Sequence, residues 1–105
     1  MLTAMKIHGA IDVEGRCKHW HSPLDVVANK CATCGEYFAC ALCHAELTEH
    51  EFGPMLVDAP SVLCGACRTE MNYHAYSAAP ACPHCGHKFN PGCSAHAGIY
   101  FQLDR

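Results

Sequence analysis

The chain has 105 residues, of which 10 are Cys and 9 are His, and its formal net charge is −3. A chain of this length usually forms one domain with a modest stability margin, so we expect a single domain over residues 1–105. The acidic charge argues against broad binding to nucleic acid or to anionic lipid.

The first predicted element is a half-buried strand near the N-terminus. Apolar side chains alternate with small or polar ones over Met5–Val13, and Glu14-Gly15 ends the pattern. No apolar run there is long enough for a signal peptide, and no stretch of the chain approaches the length of a membrane span. We therefore expect a cytoplasmic, reducing location and no membrane contact.

Residues 15–52 form the first half of the predicted domain and carry the first group of Cys and His residues. A short strand is predicted over Asp25–Lys30. Good helix formers predict a short helix that begins near Cys40 or Cys43. If His44 and His50 bind one ion, this helix must end before His50, because residues six apart do not share a face of a regular helix.

Residues 61–105 form the second half, which follows turn residues at Gly53-Pro54 and Asp58–Pro60. A strand or short helix is predicted over Arg68–Tyr73. The fold class that we expect is a small, metal-stabilised α+β domain. It should be irregular, with short strands and one or two short helices around zinc sites.

The Cys residues occur largely as CxxC pairs with His interleaved. Two Cys three positions apart on a tight turn can bind one ion from the same side, whereas a disulfide within such a pair is strained. This spacing favours Zn²⁺ over a disulfide framework. Closed four-ligand sites rich in thiolate leave no open position for a water, so we expect no catalytic residues and no enzymatic activity.

Two CxxC pairs with 14 residues between them predict a four-thiolate site in the second half, formed by Cys64, Cys67, Cys82 and Cys85. An alternative partition places Cys82 and Cys85 on one ion with Cys93 and His96. It leaves Cys64 and Cys67 to find a partner such as His74. Cys93 and His96 are therefore possible additional metal ligands, in a rearranged site or in a fourth one.

The first half contains enough donors for two closed sites: Cys17, His19, Cys31, Cys34, Cys40, Cys43, His44 and His50. Cys43 and His44 are adjacent and point in different directions, so they serve two neighbouring ions more readily than one. Our hypothesis is an interleaved arrangement. One ion is held by Cys17, His19, Cys40 and Cys43, and another by Cys31, Cys34, His44 and His50.

The order of these residues resembles the CHY-type zinc finger family. The resemblance rests on Cys17-x-His19-Trp20-His21, Cys31-x-x-Cys34, Tyr37, Cys40-x-x-Cys43-His44-x-Glu46 and His50, and it extends from Gly15 to the C-terminus. It implies that the twelve candidate ligands bind three zinc ions. Trp20 stands where the family name implies Tyr, a change that leaves ligation untouched.

The family includes the N-terminal module of certain RING ubiquitin ligases and a fungal mitochondrial protein that helps to assemble small translocase chaperones. The ending of this chain, from Cys82 through His96, is similar to the small stand-alone members and not to the ligases. No RING segment is expected.

Two functions are compatible with these features. The first is a structural zinc module that binds an unidentified protein partner, and the alternative is a thiol-redox or zinc-handling factor that exchanges disulfides or metal with client proteins. Only Cys93 should react with thiol reagents in the zinc-loaded protein if the first holds, and several Cys if the second does. Five aromatic residues are expected to cover the thiolates instead of forming an interaction surface: Trp20, Tyr37, Phe38, Tyr100 and Phe101.

Overall fold

The computed structural model describes residues 6–78, 80–89 and 100–102. Within those ranges the elements are β1 (Ile7–His8), β2 (Val27–Lys30), β3 (Tyr37–Phe38), α1 (Ala41–Leu47), β4 (Val62–Cys64), β5 (Glu70–Met71) and α2 (Tyr73–Ser77). The strands form one mixed sheet in the order β1-β3-β2-β4-β5, in which only β1 and β3 are parallel. The small α+β architecture predicted from the sequence is confirmed.

The first strand is shorter than predicted. β1 ends at His8 because Gly9 adopts a left-handed backbone with φ of +86°. The carboxylate of Asp12 then accepts backbone N–H bonds from Glu14 and Arg16 at 2.9 and 3.0 Å. A side chain that satisfies nearby backbone donors offers the chain an alternative to strand pairing, so residues 9–16 form a loop.

Strand β4 joins the two predicted halves. It pairs antiparallel with β2, and Val27 lies opposite Cys64. Its side chains alternate between the faces of the sheet, since Val62 and Cys64 pack into one buried cluster and Leu63 into another. Strands from both predicted halves therefore belong to one sheet. The single-domain organisation stays a prediction, which unfolding experiments can test.

Helix α1 is capped by residues of the metal-ligand segment. Its N-cap is Cys40, whose Sγ accepts the Cys43 backbone N–H at 3.4 Å. At the other end, both the hydroxyl and the backbone N–H of Thr48 donate to the carbonyl of His44, at 2.8 and 3.0 Å. The helix therefore ends before His50, as ligation by both His residues requires.

The segment Arg68–Tyr73, predicted as a strand or a short helix, contains parts of both. It includes β5 and the first residue of α2. The side chain of Asn72 caps α2 by accepting the Ala75 N–H at 2.9 Å.

Four of the five aromatic residues near the ligands are buried, namely Tyr37, Phe38, Tyr100 and Phe101. The hydroxyl of Tyr100 accepts the first N–H of α1, from Ala41, at 3.0 Å. These side chains cover the metal-ligand segments, as expected. Trp20 differs, because 43% of it is exposed.

Gly65 lies where the two halves pack most closely. Its N–H donates to the carbonyl of Val26 at 2.6 Å. A Cβ at this position would collide with the carbonyl of Glu14 and would lie 2.8 Å from that of Val26. Because both neighbours are backbone atoms, a larger residue cannot be accommodated by rotating a side chain.

We expect Gly65→Ala to lower the free energy of unfolding by about 3 kcal/mol or more, at the upper end of overpacking costs. The measurement is urea unfolding in excess zinc, followed by circular dichroism. The matched control is Gly35→Ala, where a Cβ would meet nothing within 4 Å but φ is +73°. That variant should lose about 1 kcal/mol through backbone strain. Equal losses in the two variants would contradict the packing argument, and a single transition would support one domain.

Candidate metal centres

Twelve donor atoms gather in three groups of four, and the four atoms of each group lie within 4.8 Å of one another. Site A comprises Cys17, His19, Cys40 and Cys43; site B comprises Cys31, Cys34, His44 and His50; site C comprises Cys64, Cys67, Cys82 and Cys85. This is the grouping that the interleaved hypothesis describes. All twelve candidate ligands of the described residues are thus brought together.

Site A combines three buried thiols with one imidazole. The Sγ atom of Cys40 lies 3.6 Å from that of Cys17 and 3.7 Å from that of Cys43. The Nδ1 atom of His19 lies 3.4, 3.5 and 3.9 Å from the sulfurs of Cys43, Cys40 and Cys17 respectively. Nδ1 is therefore the His19 atom available to a metal.

Site B is built around two imidazoles that face each other. The Nε2 atoms of His44 and His50 are 3.0 Å apart, and Nε2 of His50 lies 3.5 Å from Sγ of Cys31. The ring of His44 is buried and makes edge contacts with Phe38 and Phe52, at centroid distances of 4.6 and 5.0 Å. These contacts hold the orientation of the His44 ring within the folded chain.

Site C consists of thiols alone. Sγ of Cys64 lies 3.8 Å from Sγ of Cys85, and Sγ of Cys67 lies 3.8 Å from Sγ of Cys82. Each of these contacts joins one CxxC pair to the other. The two pairs therefore form one group of four sulfur atoms.

The alternative partition for the second half is not the one that the structure assembles. His74, its proposed partner for Cys64 and Cys67, has its Nε2 atom 2.8 Å from the carboxylate of Asp58. Cys93 and His96, the possible additional ligands, lie outside the described residues.

The observed spacings fit a tetrahedral zinc ion. Zn–S bonds of about 2.3 Å and Zn–N bonds of about 2.0–2.1 Å give tetrahedral edges of about 3.8 Å between sulfurs, 3.6 Å between sulfur and nitrogen, and 3.3 Å between nitrogens. The shortest sulfur–sulfur distances are 3.6–3.8 Å and the sulfur–nitrogen distances are 3.4–3.9 Å, while the nitrogen–nitrogen distance between His44 and His50, 3.0 Å, is shorter than the ideal edge. The donor chemistry, thiol sulfur with imidazole nitrogen, is also that of structural zinc.

The three CxxC pairs that begin at Cys31, Cys64 and Cys82 share one turn. In each, the N–H of the residue after the second Cys donates to the carbonyl of the first Cys, at 2.7, 2.6 and 2.9 Å. The residues that donate have left-handed backbones: Gly35 (φ +73°), Arg68 (φ +65°) and Gly86 (φ +81°). The turn is thus an internal repeat that sequence reasoning missed, although the Gly that follows two of the pairs was a visible signal.

Arg68 is the exception among these turns. A left-handed backbone costs a residue with a Cβ roughly 1–2 kcal/mol, whereas Gly adopts it freely. The guanidinium of Arg68 donates to the carbonyl of Val13 at 2.7 Å, across 55 positions of sequence. The side chain therefore ties site C to the loop that precedes site A.

Backbone amides stabilise the thiolate at the first Cys of a pair. Burial, the largest single influence, raises the pKa of Cys31, but N–H bonds from Gly53 and Cys34 and a contact with the His50 ring together lower that pKa to about 6. The Gly53 N–H lies 3.2 Å from Sγ. A Cβ at position 53 would lie 2.8 Å from the backbone nitrogen of Thr33 as well as 2.6 Å from its Oγ1, so a larger residue is not accommodated by a side-chain rotation alone.

In site C, hydrogen-bond donors lower the pKa of the Cys67 thiol in a similar way. Burial raises the pKa of this thiol, but the hydroxyl and backbone N–H of Thr69 outweigh burial and lower the pKa to about 6. The hydroxyl lies 3.2 Å from Sγ. At Cys64, by contrast, burial raises the pKa. The two thiols of this CxxC pair therefore differ in the direction in which their surroundings shift the pKa.

Two further side chains orient the imidazoles and were not identified from the sequence as ligand partners. The carboxylate of Glu46 lies 3.0 Å from Nε2 of His19 and 3.1 Å from Nζ of Lys18. The hydroxyl of Thr48 lies 3.3 Å from Nδ1 of His44. A partner on the second ring nitrogen fixes the tautomer that binds metal. Glu46 follows Cys43 by three positions on α1, a spacing that could have indicated its place beside site A.

A family model described as CHY zinc finger matches residues 17–92. The chain belongs to the CHY zinc finger family. The resemblance stated from its residues is thereby confirmed, and with the three donor groups it establishes this CHY zinc finger protein as a zinc-binding protein.

The protein is similar to three fungal proteins over most of its length. It is 44% identical over 97 residues to the helper of Tim protein 13 of Kluyveromyces lactis, covering 90% of this chain and 85% of the relative. It is 43% identical over 99 residues to the helper of Tim protein 13 of Saccharomyces cerevisiae, covering 88% and 85%. An uncharacterised protein of Schizosaccharomyces pombe is 43% identical over 95 residues, covering 88% and 84%. No solved structure matches.

These relatives correct the predicted location. Two of them are named as helpers of Tim protein 13, which points to the mitochondrial intermembrane space, and the cytoplasmic location expected from the sequence is wrong. That expectation rested on the lack of an apolar leader, and such a lack does not fix a compartment. Among the described residues, no helix combines the length and the apolar character needed to cross a membrane.

We expect Glu46→Gln to lower the zinc affinity of site A by about 10–100-fold, the usual effect of removing a carboxylate that orients a metal-binding His. Competition with a chromophoric chelator, followed by its absorbance, measures the zinc affinity. Native mass spectrometry counts the ions that stay bound. The matched control is Glu49→Gln, which removes an exposed carboxylate just beyond α1. Equal affinities in the two variants would show that Glu46 does not support His19.

Proposed function

We propose that this protein is a structural zinc module that holds three Zn²⁺ ions and binds another protein. The ligands in this proposal are the twelve residues of sites A, B and C. Family membership supports the metal, and three groups of four donors at tetrahedral spacing support the number. The closed, thiolate-rich sites leave no position for a reacting water, so the proposal includes no enzymatic activity.

Native mass spectrometry of the protein purified with zinc should show three Zn²⁺ per chain. Stepwise chelation should then abolish the circular dichroism of the folded state, because a thin core without its metals leaves the thiols uncompensated. Two ions would break the proposed partition, and four would bring in Cys93 and His96. Unchanged circular dichroism after verified zinc removal would contradict the structural role of the ions.

The exposed apolar side chains support a protein-binding role. Six large apolar side chains are exposed among the described residues. We propose that five of them, on or next to the two segments that supply the site A ligands, form one interaction surface, called here the apolar surface: Ile11, Val13, Trp20, Leu42 and Leu47. The sixth, Leu56, lies outside both segments. Metal binding at site A therefore positions the apolar side chains of the loop and of α1 relative to each other.

The loop half of the apolar surface is held in one conformation. The guanidinium of Arg16 donates to the carboxylates of Asp12 and Glu14 at 3.0 and 2.7 Å. It also donates to the backbone carbonyls of Ser22 and Pro23 at 2.7 and 2.8 Å. A loop organised in this way loses little conformational entropy on binding, which favours recognition of a partner.

The choice of partner rests on the names of the relatives. Both helpers are named for Tim protein 13, and each alignment covers most of this chain. We therefore assign a partner of that class, a protein like Tim protein 13, to the apolar surface.

The expected result is direct binding between the zinc-loaded chain and purified Tim protein 13 of S. cerevisiae, measured by isothermal titration calorimetry. The double variant Val13→Ser/Leu42→Ser removes one exposed side chain from each segment. It should weaken binding by about tenfold or more, since central apolar side chains often contribute over 1 kcal/mol each. No binding by the loaded wild-type protein would overturn the choice of partner.

The matched control is Leu56→Ser. The exposed fraction of Leu56, 62%, is close to that of Ile11 (63%) and Leu47 (58%), but Leu56 lies outside the apolar surface. It should bind within about twofold of the wild-type affinity. If it weakens binding as much as the double variant, the apolar surface is wrongly placed even though the partner is right.

A second candidate function, a thiol-redox or zinc-handling factor, is favoured by one observation. Cys34 of site B and Cys85 of site C are exposed. Exposed thiolate ligands are open to exchange with the thiols or disulfides of another molecule. The number of thiols that react in the zinc-loaded protein distinguishes the two functions.

A further inference from the structure

The three CxxC turns distinguish their two Cys residues by exposure. The first Cys of each pair is buried, with 0% of Cys31, 0% of Cys64 and 3% of Cys82 exposed. Among the second Cys residues, Cys34 and Cys85 are exposed, and Cys67 is intermediate. The first sulfur of each pair thus anchors the site in the core, and the second lies at its outer edge.

The space beside the two exposed Cys residues is open. Gly35 follows Cys34 and Gly86 follows Cys85, and a Cβ at either glycine would meet no atom within 4 Å apart from those of its two chain neighbours. The surface next to each exposed Cys is therefore open at the glycine that follows it. At Cys31 the opposite holds, because the Gly53 N–H lies directly on its Sγ at 3.2 Å.

Site A offers no such approach. Its three sulfurs belong to Cys17, Cys40 and Cys43, which are 1%, 4% and 3% exposed. Gly9 covers the last of them so closely that a Cβ on Gly9 would lie 2.6 Å from the Cys43 sulfur. The remaining ligand, His19, is bridged by Glu46 on its outer nitrogen.

Inside site C, hydrogen bonding does not separate the two sulfurs of the second pair. The Cys82 sulfur accepts the N–H groups of His84 and Cys85 at 3.3 and 3.4 Å, and the Cys85 sulfur interacts with the backbone N–H of His87. The two sulfurs differ instead in accessibility, because Cys82 is buried and Cys85 is exposed.

We propose that Cys34 and Cys85 are the residues at which the zinc-loaded protein reacts with small disulfides, while site A resists them. The inference rests on the ligand sets of the proposed function and deepens its second candidate. It assigns to sites B and C a role in exchange and to site A a permanent structural role.

The reaction is thiol–disulfide exchange, and its atoms and electrons balance. The Sγ atom of Cys34 or Cys85 attacks one sulfur of the disulfide, so that a new S–S bond forms and the old one breaks. The departing sulfur leaves as a thiolate and takes a proton from water. The Cys is oxidised to a mixed disulfide, the small disulfide is reduced, and no other oxidant is required. The affected site has then lost one of its four donors and binds its metal less tightly.

The test uses the full chain with Cys93→Ser, so that the one Cys outside the described residues does not contribute. Native mass spectrometry first counts the zinc ions, and the protein is then incubated with oxidised glutathione. Peptide mapping over time should show adducts on Cys34 and Cys85 forming about tenfold or more faster than on Cys17, Cys40 or Cys43, because oxidation follows exposure. Two zinc ions should be lost and one retained.

Matched variants locate the reaction. Cys34→His and Cys85→His each replace the exposed sulfur with another zinc donor. Each should keep its metal while losing one of the two fast adducts and one of the two released ions. The control Leu56→Ser changes an exposed side chain outside all three sites and should leave both fast adducts unchanged.

Wild-type mapping decides the question even if a variant fails to fold. Faster or equal reaction at Cys17, Cys40 or Cys43 in a protein that holds three zinc ions would overturn this inference alone. Fewer than three ions before glutathione is added would instead count against the ligand sets of the proposed function.

Discussion

The fold depends on bringing sulfur atoms within 3.6–3.8 Å of one another in sites A and C. Two thiolates at that distance repel by about 4 kcal/mol even at an effective dielectric constant near 20. The strands are only two to four residues long and cannot by themselves offset such repulsion. A divalent cation in each group reverses the sign of the interaction, which makes metal binding and folding one event.

The chain prepares its thiolates in two ways. Three of the Cys pairs use the CxxC turn, in which a residue with a left-handed backbone closes the turn and backbone N–H groups point at the first sulfur. Cys40 and Cys43 instead use a helix, because Cys40 is the N-cap of α1 and its sulfur accepts an N–H of the first turn. Burial, the largest influence, and the neighbouring Cys17 raise the pKa of Cys40, whereas the Cys43 N–H at the helix N-terminus acts in the opposite direction.

The sequence predicted the features that depend on local spacing and missed those that depend on the fold. CxxC spacing and the adjacency of Cys43 and His44 were enough to group the donors, since a ligand pair is a local property. The strand at Ile7–His8 was predicted too long, because alternation does not reveal that Asp12 caps a turn. The contacts of Gly53 and Arg68 join residues that are 22 and 55 positions apart, and such pairs become neighbours only when the sheet forms.

Helix α1 couples two of the sites mechanically. Cys43 belongs to site A and His44, the next residue, to site B. A seven-residue helix is marginal in isolation, so its presence depends on what holds its two faces. A rotation about the helix axis that improved one site would displace the donor of the other, because consecutive side chains are fixed about 100° apart. One rotation of the helix must therefore place donors of both sites, and the buried ring of His44 packs between Phe38 and Phe52 at that rotation.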